Sequence, residues 1–237
     1  MNRRGHRELY AVAAVAIFAA PADFAAIPAG GPTRIEPATM ARVGTVSNRF
    51  LSYNIEMLEV TGGRFWKPYS DLKQSGDKPK PKSPKTGAAA ALNADLYEYR
   101  PPIDLANPRL RKLAAALGPA YVRVSGTWAN TTYFDDTNGP APSHPPFGFN
   151  GVLTRKQWKG VVDFSHAVDA QIVTSVATSA GTRNAAGVWT PDQAGKFLSY
   201  TRSIGGNIAA AEFMNEPTFA AGGGAPKGYN AASFGRT

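Results

Sequence analysis

Four short runs of apolar and β-branched residues recur along the chain, each closed by a polar or glycine-bearing stop. The first is Thr45–Glu56, with Phe50, Leu51, Tyr53 and Ile55 as its apolar members and a Gly62-Gly63 turn beyond it. The second is Tyr121–Thr127, where Val122 and Val124 mark a strand. Gln171–Thr178 is the third. The fourth, Ala209–Met214, is small or apolar except for Glu212, and it runs into Asn215-Glu216-Pro217. Proline has no N–H to give to a ladder, so pairing must stop there.

Helical spacing fills the gaps. Asn107 is placed to cap a helix with Pro108 at its first position and Leu110, Leu113, Ala114 and Leu117 along one face, ended by Gly118-Pro119. Thr154 opens a second, carrying Trp158, Val161, Val162 and Phe164. Pro191 opens a third through Phe197 and Leu198 to Ile204, stopped by Gly205-Gly206. A further short helix is expected within Ala88–Tyr99, before Pro101-Pro102. Strands and helices in alternation predict an α/β fold with a parallel sheet.

Composition narrows the chemistry. Hydrophobic residues make up 43% of the 237, enough to give these elements a core. The absence of cysteine excludes disulfides, thiolate metal sites and thiol catalysis. His6, His144 and His166 are not spaced as a metal site, and Gly222-Gly-Gly224 lacks the strand-to-helix setting of a phosphate loop, so no metal and no cofactor is expected. A net charge of +9 favours encounter with anionic partners without naming one.

Arg3, Arg4 and Arg7 precede an apolar run, Leu9–Ala20, and small residues from Ala19 to Ala26. That is the pattern of a secretory signal over residues 1–26, and of a secreted or periplasmic protein. The run is shorter than the roughly 20 residues a bilayer span needs, so no stable membrane span is expected after cleavage. Residues 27–44 read as a linker or edge segment, 45–219 as the folded unit, and 220–237 as a Gly/Ala-rich tail. Residues 70–87 alternate Lys with Pro and predict an extended solvated loop, with a cationic flap as the functional alternative. The long loop Trp128–Asn150 carries Trp128, Tyr133, Phe134, Phe147 and Phe149. Two readings are open for it: rings that stack on sugars, or a satellite core. Asn130-Thr131-Thr132 is formally a glycosylation sequon.

Four segments together resemble one family. They are Phe50-Leu-Ser-Tyr-Asn-Ile-Glu56 with Thr61–Tyr69, Tyr121-Val-Arg-Val-Ser-Gly-Thr127 with Trp128–Phe134, Val162–Phe164 with Gln171–Thr178, and Met214-Asn-Glu-Pro-Thr218. The chain resembles the family 79 glycoside hydrolases of clan A, which include heparanases and β-glucuronidases. The resemblance implies a partial (β/α)8 barrel of about the first four βα units, the N-terminal half of a larger enzyme. It implies hydrolysis of glucuronic-acid-containing glycans or β-glucuronides with retention. Glu216 would be the catalytic acid/base, and Asn215, Glu56, Gly126 and Thr127 would face the substrate. The implied partner is an acidic carbohydrate and not nucleic acid, with the missing C-terminal half as a further candidate.

Retaining hydrolysis uses two carboxyl groups about 5–5.5 Å apart. In the family the nucleophile comes from strand seven, so this chain alone is expected to be inactive. Glu212 cannot replace it, because it lies roughly 13 Å from Glu216 at ~3.3 Å per strand residue. Glu56 is either substrate-facing or a strand-end acid paired with an arginine. Gly126-Thr127 either offers a backbone N–H and a hydroxyl or makes a tight bend. Asn215 and Glu216 can both serve only if the strand end is irregular. A non-catalytic binding protein for acidic glycans is the alternative function.

Overall fold

The computed structural model describes residues 35–68, 70–71, 96–220 and 222–235. The expected signal peptide, and all but Ser70 and Asp71 of the Lys/Pro tract, lie outside the described residues. Two units are distinguished, residues 1–44 and 45–237. The described part of the first holds one 3₁₀ turn, Pro37–Thr39.

The second unit is mixed α/β. Its main sheet has four parallel strands: β1 (Ser52–Glu56), β4 (Ala120–Ser125), β7 (Ala170–Ser175) and β8 (Ile208–Glu212), side by side in that order. Glu56 pairs with Ser125, Val124 with Thr174, and Ser175 with Glu212, so the strands end nearly level. In a parallel sheet this gathers the four following loops at one rim. The first strand is shorter than Thr45–Glu56: Ser47–Phe50 is a turn, and Phe50 and Leu51 are exposed.

The helices are capped as their sequences predict. Asn107 Oδ1 accepts from the Arg109 and Leu110 amides at the start of α2 (Pro108–Ala115). The Thr154 hydroxyl accepts from the Gln157 amide, and Gln157 Oε1 accepts from the Thr154 amide, at the start of α3 (Arg155–Ala167). Pro191 precedes α4 (Asp192–Ser203). Trp158, Val161, Val162 and Phe164 of α3 and Phe197 of α4 join Ile55, Val122, Val124 and Ile172 in one core. Trp158 is fully buried, and its Nε1–H donates to Thr201 Oγ1 at 2.7 Å, so its polar atom is satisfied. α2 departs from expectation. Ala114 is buried, but Leu113 is 61% and Leu117 48% exposed, so the predicted apolar face is only partly covered.

Smaller elements frame the rim. A one-turn helix α1 (Met57–Thr61) follows β1 directly and buries Met57 and Val60. Beyond Gly62, β2 (Gly63–Trp66) pairs antiparallel with β3 (Tyr97–Arg100). Of the stretch Ala88–Tyr99, within which a short helix is expected, residues 88–95 lie outside the described residues and the described end belongs to β3. Tyr97-Glu98-Tyr99-Arg100 alternates with period two, which is a strand pattern. The long loop contains a 3₁₀ turn, Thr127–Thr131, and β5 (Thr132–Asp135), which pairs in parallel with β6 (Gly151–Thr154). Phe134 enters the core against Phe197 and Tyr200, whereas Phe147 is almost fully exposed. The tail holds a last short helix, α5 (Ala231–Phe234), where no element was expected.

The opposite face of the sheet carries Asn54, Arg123, Ser125, Ser175 and Glu212, joined by hydrogen bonds. β1 and β8 are the edges among the described residues, and Ala209–Ala211 of β8 are exposed. No helix among the described residues is long and apolar enough to cross a membrane.

Candidate functional site

Each strand of the sheet delivers polar residues to the shared rim. β8 ends at Glu212, and the chain reaches Glu216 in a left-handed conformation, φ 48° and ψ 59°. A non-glycine residue there stores about 1–3 kcal/mol of strain and needs surroundings that enforce it. Asn130 supplies them. It is fully buried, its Oδ1 accepts from the Asn215 amide at 3.0 Å, and its Nδ2 donates to the Asn215 carbonyl at 2.9 Å. Its own carbonyl accepts from the Thr178 and Ser179 amides after β7. Asn130 is thus a clamp between two strand ends. With both side-chain polar atoms occupied in the interior, it is no glycosylation acceptor in the folded chain, despite the sequon.

The irregular strand end brings Asn215 and Glu216 into one cluster. The Thr127 hydroxyl donates to Glu216 Oε2 at 2.5 Å, and Asn215 Nδ2 donates to Thr127 Oγ1 at 3.0 Å. Asn215 Oδ1 accepts from Arg123 Nη2 at 2.7 Å. On the other side, Arg123 Nη1 donates to Asn54 Oδ1 at 2.7 Å, and Asn54 Nδ2 donates to Glu56 Oε1 at 3.0 Å. One guanidinium therefore starts two donor chains that end on two carboxylates, Glu56 and Glu216. Thr127 orients Glu216, whose second oxygen, Oε1, accepts no hydrogen bond among the described residues.

Arg123 is itself fixed by Glu212, with Nε on Oε1 at 2.5 Å and Nη2 on Oε2 at 2.8 Å. This bidentate bond holds the Glu212 carboxyl below the usual glutamate range and raises the Arg123 guanidinium further. Glu212 is an anchor, charged and occupied, not a spare acid.

Glu56 lies in the opposite setting. Burial, opposed by the Asn54 hydrogen bond and the Arg123 charge, raises its carboxyl above the ordinary value, and the charges of Glu59 and Glu216 add to the rise. Its Oε2 is buried with no hydrogen-bond partner among the described residues. Among the described residues it has no ion pair with an arginine, and Asn54 stands between it and Arg123. Gly126 is the reason it fits. Its φ is +99°, and a Cβ there would lie 1.6 Å from Glu56 Oε2. The Gly126-Thr127 pair is thus both a tight bend and part of the site.

These residues open onto a cleft of 1030 Å³ that Glu56, Thr127, Asn215 and Glu216 line. Arg64, Trp66, Tyr97 and Trp128 also line it. The aromatic residues of the cleft come from the β2–β3 pair (Trp66, Tyr97), from the turn after Glu216 (Phe219) and, in the long loop, from Trp128. Tyr133 and Phe149 pack on each other instead.

Sequence reasoning found the five rim residues but missed Asn54, Arg123, Asn130, Trp66 and Tyr97. Arg123 and Glu212 carried a readable signal, being opposite charges inside two strands expected to share a sheet. Asn130 carried none beyond the sequon. Among the described residues, no cluster of three His, Asp or Glu is placed to hold a metal. Compared with known proteins, the chain matches no protein-family model and no curated sequence.

Proposed function

We propose that the chain is the N-terminal part of a retaining glycoside hydrolase with a (β/α)8 barrel, acting on glucuronic-acid-containing glycans or β-glucuronides. Glu216 is the acid/base. The observation that carries the reading is the Glu216–Thr127–Asn215 cluster, set at the C-terminal rim of four parallel strands and facing a cleft with aromatic residues. A strand-end carboxylate in such a setting can give a proton to a leaving glycosidic oxygen. Thr127 holds one carboxylate oxygen and leaves the other for that transfer. Asn215 stands beside it to bind a sugar hydroxyl. Glu56 contacts the substrate through a carboxyl that burial raises above the ordinary glutamate value.

The covalent step needs a second carboxylate about 5–5.5 Å away, which the reading assigns to a later strand of a complete barrel. The chain alone should therefore give no turnover of an aryl β-glucuronide. The function is tested by binding. A glucurono-configured iminosugar, cationic near the anomeric position, should bind the purified chain in calorimetry, and Glu216→Gln should weaken it at least about tenfold. Equal affinity in the two proteins would contradict the assignment.

A second reading, a non-catalytic binder of acidic glycans, is favoured by the net charge of +9. It requires heparin retention that is unchanged in Glu216→Gln and collapses with salt.

A further inference from the structure

The β2–β3 hairpin has a face that the acid/base chemistry does not use. Opposite partners share a face in an antiparallel pair, and here Arg64 faces Tyr99 and Trp66 faces Tyr97. Three aromatic rings and one guanidinium thus lie on one side of a two-stranded ribbon. Trp66 stacks on Tyr97 with centroids 4.6 Å apart and planes at 29°. Tyr97 meets Trp128 edge-on at 6.4 Å, and Trp128 directly follows Thr127, the residue that orients Glu216. Trp66 is 42% exposed and Tyr99 71% exposed, which is not how a satellite core treats its largest rings. Phe65, on the other side of the ribbon, packs against Trp128 at 5.3 Å and fixes the hairpin to the rim.

Resting on the hydrolase reading, we propose that Trp66 and Tyr97, with Arg64, form a separate subsite for the pyranose ring next to the one held at Glu216, and that it takes a uronate ring. A β-linked pyranose with equatorial substituents has an apolar C–H face that can lie flat on Trp66, gaining dispersion contact while its hydroxyls stay solvated. Its carboxylate reaches Arg64, which lines the same cleft. Nucleobases also stack on aromatic rings. The hydrolase reading on which the subsite rests favours the sugar, and an oligonucleotide is one outcome of the test.

The test measures binding to the full chain by calorimetry with two probes. One is a hexasaccharide of β-linked glucuronic acid, and the other is methyl β-D-glucuronide. Trp66→Ala should weaken the hexasaccharide about tenfold and leave the methyl glycoside unchanged, because a single sugar does not reach the subsite. Trp66→Phe should recover most of the affinity, and Arg64→Gln should cost about threefold with the hexasaccharide alone. Unchanged circular dichroism shows that each variant is folded. No hexasaccharide binding to the parent chain, or equal loss of both probes in Trp66→Ala, overturns the subsite. So does tighter binding of a twelve-residue oligothymidylate that depends on Trp66. Hexasaccharide binding that needs Trp66 but not Glu216 keeps the subsite and removes the hydrolase reading.

Discussion

On one face of the four-stranded sheet, Ile55, Val122, Val124 and Ile172 meet Trp158, Val162, Phe164 and Phe197. On the other, Asn54, Arg123, Ser125 and Glu212 meet one another and reach out to Glu56 and Asn215. The apolar face is held by non-directional burial, which tolerates repacking. The polar face is held by directed bonds, each of which fixes the next atom. A helix-backed face supplies stability, and the network on the open face supplies geometry. Losing one residue on the first should cost free energy, whereas losing one on the second should also move the carboxylates.

Trp158→Ala should show the apolar extreme. It should lower unfolding free energy by about 3–5 kcal/mol in urea denaturation while the folded protein keeps its affinity for the iminosugar. Asn130→Ala should lower stability less, by about 2–3 kcal/mol, since it strands the Asn215 amide and carbonyl. Here ligand affinity should fall as well, because Glu216 loses its enforced left-handed backbone. A stability loss with full affinity would erase the distinction between the faces.

Arg123→Gln should cost about 1–2 kcal/mol, the ion pair being about one-third exposed. Replacing Arg123 and Glu212 together by methionine should be less damaging than either change alone. The pair also sets a pH limit. The Glu212 carboxyl lies below its unfolded value, so its contribution is present above the ordinary glutamate range and lost as pH falls through the lowered value. In Arg123→Gln that contribution is absent, so the dependence of stability on pH below the ordinary glutamate range should flatten in an acid-unfolding titration.

Glu56→Gln should have the smallest effect and the opposite sign. The Glu56 carboxyl is raised, so the neutral form's contribution is full below the ordinary value and lost as pH rises through the raised one. The amide keeps the shape without the buried charge. Stability at neutral pH should therefore hold or increase slightly, and its slope just above the ordinary glutamate range should flatten.

What the sequence discloses follows the same division. The βα rhythm, the Asn107 and Thr154 caps and the buried Trp158 and Ile172 are local or periodic signals, and these elements form where expected. Glu56, Thr127 and Asn215-Glu216 were legible because strand ends of a parallel sheet share a rim. The rest depends on partners far along the chain. Arg123 bonds to Asn54, Glu212 and Asn215, and Asn130 clamps Asn215, across separations no window of sequence spans. The strand Tyr97–Arg100 is not among the elements expected from the sequence, because its pairing partner lies beyond the Lys/Pro tract. Leu113 and Leu117 have helical spacing but no cover among the described residues, which periodicity cannot reveal.

The role given to Glu216 is tested most directly by a crystal structure of the chain with the glucurono-configured iminosugar bound. The ring nitrogen should lie about 2.7–3.0 Å from Glu216 Oε1, with Thr127 still on Oε2 and the sugar in the cleft beside Trp128. An inhibitor held elsewhere, or one in the cleft with Glu216 turned away from it, would contradict the account.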